Sequence, residues 1–151
     1  MFVYERAVRF EEVDAAKIVF FARFLNYAHE AMEALLGGLD GGYVRLVNER
    51  RLGMPAVHVE CDFRAPLRFG DAMRVETYAA RIGTKSVTYR YEFFRARDNA
   101  HVATVEHVCA VTDLDAMKAV PVPDDVRALL ERHRPPEVPP QAGRRPEGHT
   151  D

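Results

Sequence analysis

The stretch RFEEVDAAKIVFFARFLNYAHEAMEALL, Arg9 to Leu36, constrains what this chain can fold into more than any other. From Phe21 its apolar residues, Phe21, Phe24, Leu25, Ala28, Met32, Leu35 and Leu36, recur three and four apart, while Arg23, Asn26, His29, Glu30 and Glu33 take the other side. That spacing predicts one long amphipathic helix starting near Phe21, with a single apolar stripe to bury. Gly37 and Gly38 end it. Just ahead lies Asp14, between Val13 and Ala15 and followed by Ala16 and Lys17. A carboxylate brought to a helix start meets unpaired backbone N–H groups and the positive end of the dipole, where developing oxyanions are stabilised. Capping is the ordinary role of such an aspartate. Asp14 sits several residues ahead of the periodic part, too far to cap Phe21 directly.

An apolar stripe needs a surface to cover, and the rest of the chain predicts a sheet. Phe2 to Phe10 reads as a first strand feeding the Asp14 loop. From Val57 the period changes to two, with Val57, Val59, Cys61 and Phe63 on a face expected to be buried and His58, Glu60, Asp62 and Arg64 on the other. Met73 to Ile82, Ser86 to Arg95 and Val102 to Leu114 follow, separated by Gly83 and by Asp98-Asn99, which is the layout of an antiparallel meander. Tyr43 to Arg50 and Asp124 to Arg132 predict two short helices, the second behind Pro121 and Pro123. Residues 134–151, rich in proline and without an aromatic residue, read as a disordered tail behind a single domain over 1–133.

At 151 residues and 48% apolar, there is room for one core and no second catalytic domain. The formal charge of -2 gives no global attraction to nucleic acid or to acidic membranes, so an anionic ligand needs a local basic cluster. No apolar run approaches the roughly 18 residues of a membrane span, and MFVYERAVRF lacks the layout of a signal peptide, so a cytoplasmic protein is expected. Cys61 and Cys109 lie in alternating segments without metal-knuckle spacing and are expected as reduced core thiols. His58, Glu60 and Asp62 share a strand face, but polar residues on an open sheet face are the commoner reason, and no metal or cofactor is expected. Gly83-Thr84-Lys85-Ser86 lacks the upstream glycine of a phosphate loop, and there is no G-x-S-x-G elbow.

The order strand, Asp loop, long helix and antiparallel strands resembles the hot-dog fold, an α+β architecture in which a sheet of about five antiparallel strands wraps around one long central helix. VRFEEVDAAKIVFFARFLNYAHEAMEALL resembles the signature of the 4-hydroxybenzoyl-CoA thioesterase family: a strand ending at an acidic residue, a D-x-x-G-x-x-(Y or F) loop, then an aromatic-rich helix. VHVECDFRAPLRFGDAMRVETYAARIGTKSVTYRYEF resembles its second block, and the likeness spans about residues 2 to 130.

The resemblance implies an acyl-CoA thioesterase, with Asp14 as nucleophile or general base and the Phe21 backbone N–H polarising the thioester carbonyl. It implies an acyl pocket lined by Phe20, Phe24 and Tyr27, which tilts the substrate towards aryl or short-to-medium acyl groups. The loop departs from the family at Lys17, where a glycine with φ > 0 is usual. That lysine could lie beside Asp14, meet a phosphate of coenzyme A, or simply face solvent. Arg64, Arg68, Lys85 and Arg90 are phosphate candidates, and the family likeness favours Lys85 and Ser86. A homodimer is implied, and a tetramer is compatible, with the site at the boundary between two joined sheets. Two alternatives stay open: a non-catalytic acyl-CoA or acyl-carrier binding protein, and a hot-dog hydratase or dehydratase using His29 or His58.

Overall fold

The apolar stripe forms where its spacing predicts. Helix α1 (Arg23–Leu36) turns Phe24, Tyr27, Ala28, Ala31, Met32, Leu35 and Leu36 inward. In the computed structural model, which describes residues 1–135, the helix starts two residues later than expected. Phe20 and Phe21 belong to the turn before it and are exposed, because their apolar character continues the helical spacing without their backbone joining the helix. Gly37 stays right-handed at φ -58; the reversal comes at Gly41 and Gly42, at φ 74 and 65. Helix α2 (Gly42–Asn48) follows. Gly38 serves packing instead, since a Cβ there would lie 2.8 Å from Leu129 Cδ1 of helix α3 (Asp124–Arg132). The tail expected over 134–151 falls outside the described residues from 136 onward.

Five strands, β1 (Phe2–Ala7), β3 (Ala56–Phe63), β4 (Ala72–Ile82), β5 (Ser86–Arg95) and β6 (Ala100–Ala110), form an antiparallel sheet in the order β1-β4-β5-β6-β3. The meander β4-β5-β6 is its centre and α1 lies across one face, which is the hot-dog architecture. Two predicted strands are shorter than expected. The first stops at Ala7, and Phe10–Glu12 is a 3-10 turn. The last stops at Ala110, and Thr112–Asp113 forms β7, which pairs with β2 (Leu52–Gly53) and β8 (Lys118–Ala119) in a small second sheet.

Strand alternation divides the main sheet as period two requires. Val75, Tyr89, Tyr91, Phe93, Ala103 and Val105 are buried on the helix face. The opposite face carries Arg90, Glu92 and Thr104, where the buried Glu92 carboxylate accepts from Arg90 Nε at 2.7 Å and Thr104 Oγ1 at 2.6 Å, with His101 Nε2 2.7 Å away. The exception is β3. Its apolar residues were expected to face a core, yet Val57 is 64% exposed and Phe63 49%. Among the described residues it is an edge strand, with β6 on one side and no neighbour on the other, and a bulge between Ala56 and His58 takes Val57 out of the alternation. Cys61 is accordingly half-buried, whereas Cys109 is a core thiol pushed up to about 12 by burial. Among the described residues, no helix is long and apolar enough to cross a membrane.

Candidate active site

Asp14 sits at the tip of a tight loop whose two arms are tied together. Val13 and Val19 form an antiparallel bridge, the Phe20 N–H donates to the Glu12 carbonyl at 3.0 Å, and the Asp14 N–H to the Ile18 carbonyl at 3.0 Å. The Val19 N–H donates to the Leu67 carbonyl at 2.8 Å, which fixes the loop beside the turn leading into β4. Asp14 is exposed and does not cap α1; its Oδ1 accepts from the Ala16 N–H at 2.8 Å, closing an Asx turn. Lys17 adopts φ 63, so the left-handed conformation that a loop glycine would supply is present in spite of the lysine. Its N–H donates to the Asp14 carbonyl at 2.9 Å.

Because the arms are closed at Glu12 and Phe20, Phe21 emerges at the same end of the molecule as Asp14. The Arg23 N–H donates to the Phe20 carbonyl at 2.9 Å and the Phe24 N–H to the Phe21 carbonyl at 3.3 Å. Among the described residues, no acceptor meets the N–H of Phe21 itself. A free backbone donor at a helix start is what an oxyanion needs.

Two clefts run along the line between α1 and β3. The first, about 530 Å³, begins at the loop and is lined by Ile18, Val19, Phe21, Phe24, Phe63, Arg64 and Arg68. Phe24 forms its inner wall, edge-on to Phe63 at 5.2 Å and to Phe93 at 5.3 Å. Arg64 donates to Thr104 Oγ1 at 2.8 Å, and both arginines are exposed at the rim. The second cleft, about 260 Å³, lies farther along α1, lined by Leu25, Ala28, His29, Met32, Tyr43, Met54, Val59 and His107. Burial, with a smaller push from His29, holds the His107 imidazole below the usual histidine range and so favours its neutral form. His107, Tyr43 and Met54 were not picked out from the sequence; the one legible signal was period two, which sets Val105, His107 and Cys109 on a common face of β6.

Three expected site residues fall elsewhere. Tyr27 is fully buried, its hydroxyl donating to Glu12 Oε2 at 2.8 Å and its ring covered by the Arg6 guanidinium at 4.6 Å, so it is a core residue and lines neither cleft. Lys85 and Ser86 lie at the β4-β5 turn, where the Gly83 N–H donates to the Ser86 carbonyl at 2.8 Å. The Asp14 loop is at the opposite end of β4, a strand of 11 residues that spans roughly 35 Å. Within one chain, then, Phe21 and Phe24 line the first cleft, Asp14 and Lys17 sit in the loop that leads to it, Phe20 is exposed beside Phe21 and lines neither cleft, and Lys85 and Ser86 stand apart.

Residues 8–130 match the thioesterase-like superfamily. A 1,4-dihydroxy-2-naphthoyl-CoA hydrolase from Nostoc punctiforme is 31% identical over 133 residues, covering 88% of each chain. Among solved structures, a thioesterase-superfamily protein from Jannaschia sp. CCS1 superposes with a TM-score of 0.81 at 31% identity, covering 89% of this chain and 94% of that one. A 1,4-dihydroxy-2-naphthoyl-CoA thioesterase from Synechocystis gives 0.78 at 26% identity, covering 85% and 94%. The resemblance drawn from the sequence thus holds at the level of the superfamily, while these two named relatives are named for a naphthoyl rather than a 4-hydroxybenzoyl thioester.

Proposed function

The chain belongs to the thioesterase-like superfamily and is an acyl-CoA thioesterase, and from this premise we propose that it hydrolyses an aryl-CoA with Asp14 and the Phe21 N–H as its catalytic groups. One observation carries the reading: Phe21, whose helix-start N–H is unused, lines an apolar cleft together with two arginines, and the loop that carries Asp14 enters the same cleft through Ile18 and Val19. The carbonyl oxygen accepts from the Phe21 N–H. Asp14 either takes a proton from the water that attacks the carbonyl carbon, or attacks that carbon itself, in which case loss of the thiolate leaves an acyl anhydride on Asp14 that water then hydrolyses to regenerate the carboxylate. On either route the C–S bond breaks, one water is consumed, the acid is released, and the coenzyme A sulfur takes up a proton. One such donor contributes roughly 3 to 4 kcal/mol to the barrier reduction.

The second cleft supports an aryl acyl group. A cavity of about 150 Å³ holds benzene, so about 260 Å³ suits a one- or two-ring acyl group. Leu25, at its near end, is four residues or about 6 Å along the helix from Phe21. His29, Tyr43 and neutral His107 offer hydrogen bonds to ring hydroxyls. Thiol release from 1,4-dihydroxy-2-naphthoyl-CoA, 4-hydroxybenzoyl-CoA and straight-chain acyl-CoAs tests this. The aryl thioesters should lead in kcat/KM by at least about tenfold, one or two kcal/mol of pocket contact; preference for a long straight chain rejects the aryl slot.

A binding-only protein would take Lys17 as the mark of a degenerate loop, and the φ of 63 at Lys17 speaks for an intact loop instead. Lys17→Gly should leave the melting temperature nearly unchanged, because relief of the left-handed conformation and the added chain entropy of glycine are both about 1 kcal/mol and opposed. It should raise KM for coenzyme A thioesters about two- to fivefold at low salt and less at high salt, if the ammonium meets a phosphate. An unchanged KM at low salt would make it a solvent-facing lysine.

The working unit we propose is a dimer joined through β3, with a tetramer compatible. Both clefts open along that strand, among the described residues one side of its backbone has no partner strand, and Val59 and Phe63 are exposed along it, as is Val57 at the bulge between Ala56 and His58. Antiparallel pairing of two β3 edges reverses the second sheet, which brings the Lys85-Ser86 end of one subunit towards the Asp14 end of the other. That arrangement is the route by which Lys85 and Ser86 reach coenzyme A.

A further inference from the structure

Glu12 is a charged residue placed where a loop stem would ordinarily bury an apolar one, and it is 6% exposed. Its Oε2 accepts from the Arg9 N–H and the Tyr27 hydroxyl, each at 2.8 Å, and its Oε1 accepts from Arg6 Nη2. Arg6 is equally enclosed, with its side chain 9% exposed, and reaches on to Glu30 at 2.7 Å, whose carboxylate also accepts from the Tyr4 hydroxyl at 2.9 Å. Three elements therefore converge on one carboxylate: β1 through Arg6, the 3-10 turn through the Arg9 N–H, and the second turn of α1 through Tyr27.

A buried ion pair is a weak source of stability, since desolvation offsets much of its attraction and apolar residues of similar volume often serve as well. What it supplies well is direction. The same Glu12 that the three elements grip also closes the loop stem through its carbonyl, which accepts the Phe20 N–H at 3.0 Å. Asp14 is two residues beyond it on one arm, and Phe21 one residue beyond Phe20 on the other. We propose that Glu12, gripped by Arg6 and Tyr27, is a positioning residue that sets Asp14 and the Phe21 N–H against each other. This rests on the catalytic reading of those two groups given above. Burial pushes the Glu12 carboxyl up, but the Arg9 N–H, the Tyr27 hydroxyl and Arg6 together outweigh it and hold the group below the usual carboxylate range, so the gripped form is the anion.

Glu12→Gln removes the charge at nearly constant shape, and Tyr27→Phe removes one hydroxyl with the ring packing kept. Misplacement of reacting groups by about 1 Å costs on the order of a hundredfold. We expect kcat to fall about thirtyfold in Glu12→Gln and about tenfold in Tyr27→Phe, with KM within twofold of the parent, in protein shown to be folded at the assay temperature. On an Asp14→Asn background the Glu12 substitution should cost little more, since it acts through a group already lost. Amide hydrogen exchange supplies a readout that needs no substrate: the N–H groups of Asp14, Lys17, Val19 and Phe20 should exchange at least about tenfold faster in Glu12→Gln, with those of β4 to β6 unchanged. Unchanged loop exchange overturns the proposal whether or not the wild type hydrolyses anything. So does an unchanged kcat, or a loss that merely tracks the unfolded fraction. A wild type that releases no thiol from any acyl-CoA overturns the catalytic reading instead, and the exchange result then decides this one alone.

Discussion

Asp14→Asn should release thiol from an aryl-CoA at least about a thousandfold more slowly than the wild type, the scale seen when one member of a catalytic unit is removed. The substitution isolates charge from shape. Asparagine keeps an oxygen at Oδ1 to accept the Ala16 N–H, so the Asx turn that shapes the loop tip survives. Asp14 is exposed and makes no ion pair among the described residues, so stability should move by no more than about 0.5 kcal/mol, or roughly 2 °C in the melting temperature of a chain of this size. Whether the carboxylate attacks or activates water, an amide does neither at useful rate. The control is Phe20→Ala: an exposed aromatic of the same turn that lines neither cleft and whose side chain takes no part in either step, so kcat should stay close to that of the wild type. Near-normal turnover in Asp14→Asn would leave the fold and the family intact but move the chemistry to another group, and His29 at the second cleft would be the first to test.

Much of this architecture was legible because its signals are local. The meander strands and α3 lie within about two residues of where period two and period 3.6 put them, apart from the far end of β6, since each pattern is set by one buried face of one element. The Asp14 loop was legible from its position between strand and helix. Other features depend on partners distant in sequence. Tyr27 falls on the apolar side of α1 and reads as pocket lining, but its hydroxyl is claimed by Glu12, which no periodicity could announce. Lys85 and Ser86 belong to the right kind of segment, yet the order β1-β4-β5-β6-β3 puts them at the far end of the sheet from Asp14. The φ of Lys17 is a backbone property that side-chain chemistry alone argues against. The alternation of β3 is the most instructive case. Val57, Val59 and Phe63 call for a covering surface, and a sequence cannot say whether its own chain or a second copy supplies it.

That distinction yields the second large effect. Val57 is 64% exposed on β3 and lines neither cleft, so Val57→Glu leaves the single chain's packing and both binding surfaces alone. In a dimer paired through β3 the substitution buries two carboxylates, one from each copy, without partners. Burying an unpaired charge costs several kcal/mol, so the dissociation constant should rise by at least about a thousandfold, and sedimentation at micromolar concentration should show a folded monomer. If each site takes Asp14 from one subunit and β3 and the Lys85-Ser86 turn from the other, that monomer should be at least about a hundredfold less active, as expected when positioned groups are lost. Its activity per subunit should climb again as protein concentration is raised, because dimer is restored by mass action. Concentration dependence is the decisive sign, since local damage around residue 57 would lower turnover equally at every concentration. A wild-type chain that sediments as a stable, fully active monomer, or a Val57→Glu monomer with undiminished turnover, would place the complete site within one chain and leave the exposed apolar residues of β3 to some other partner.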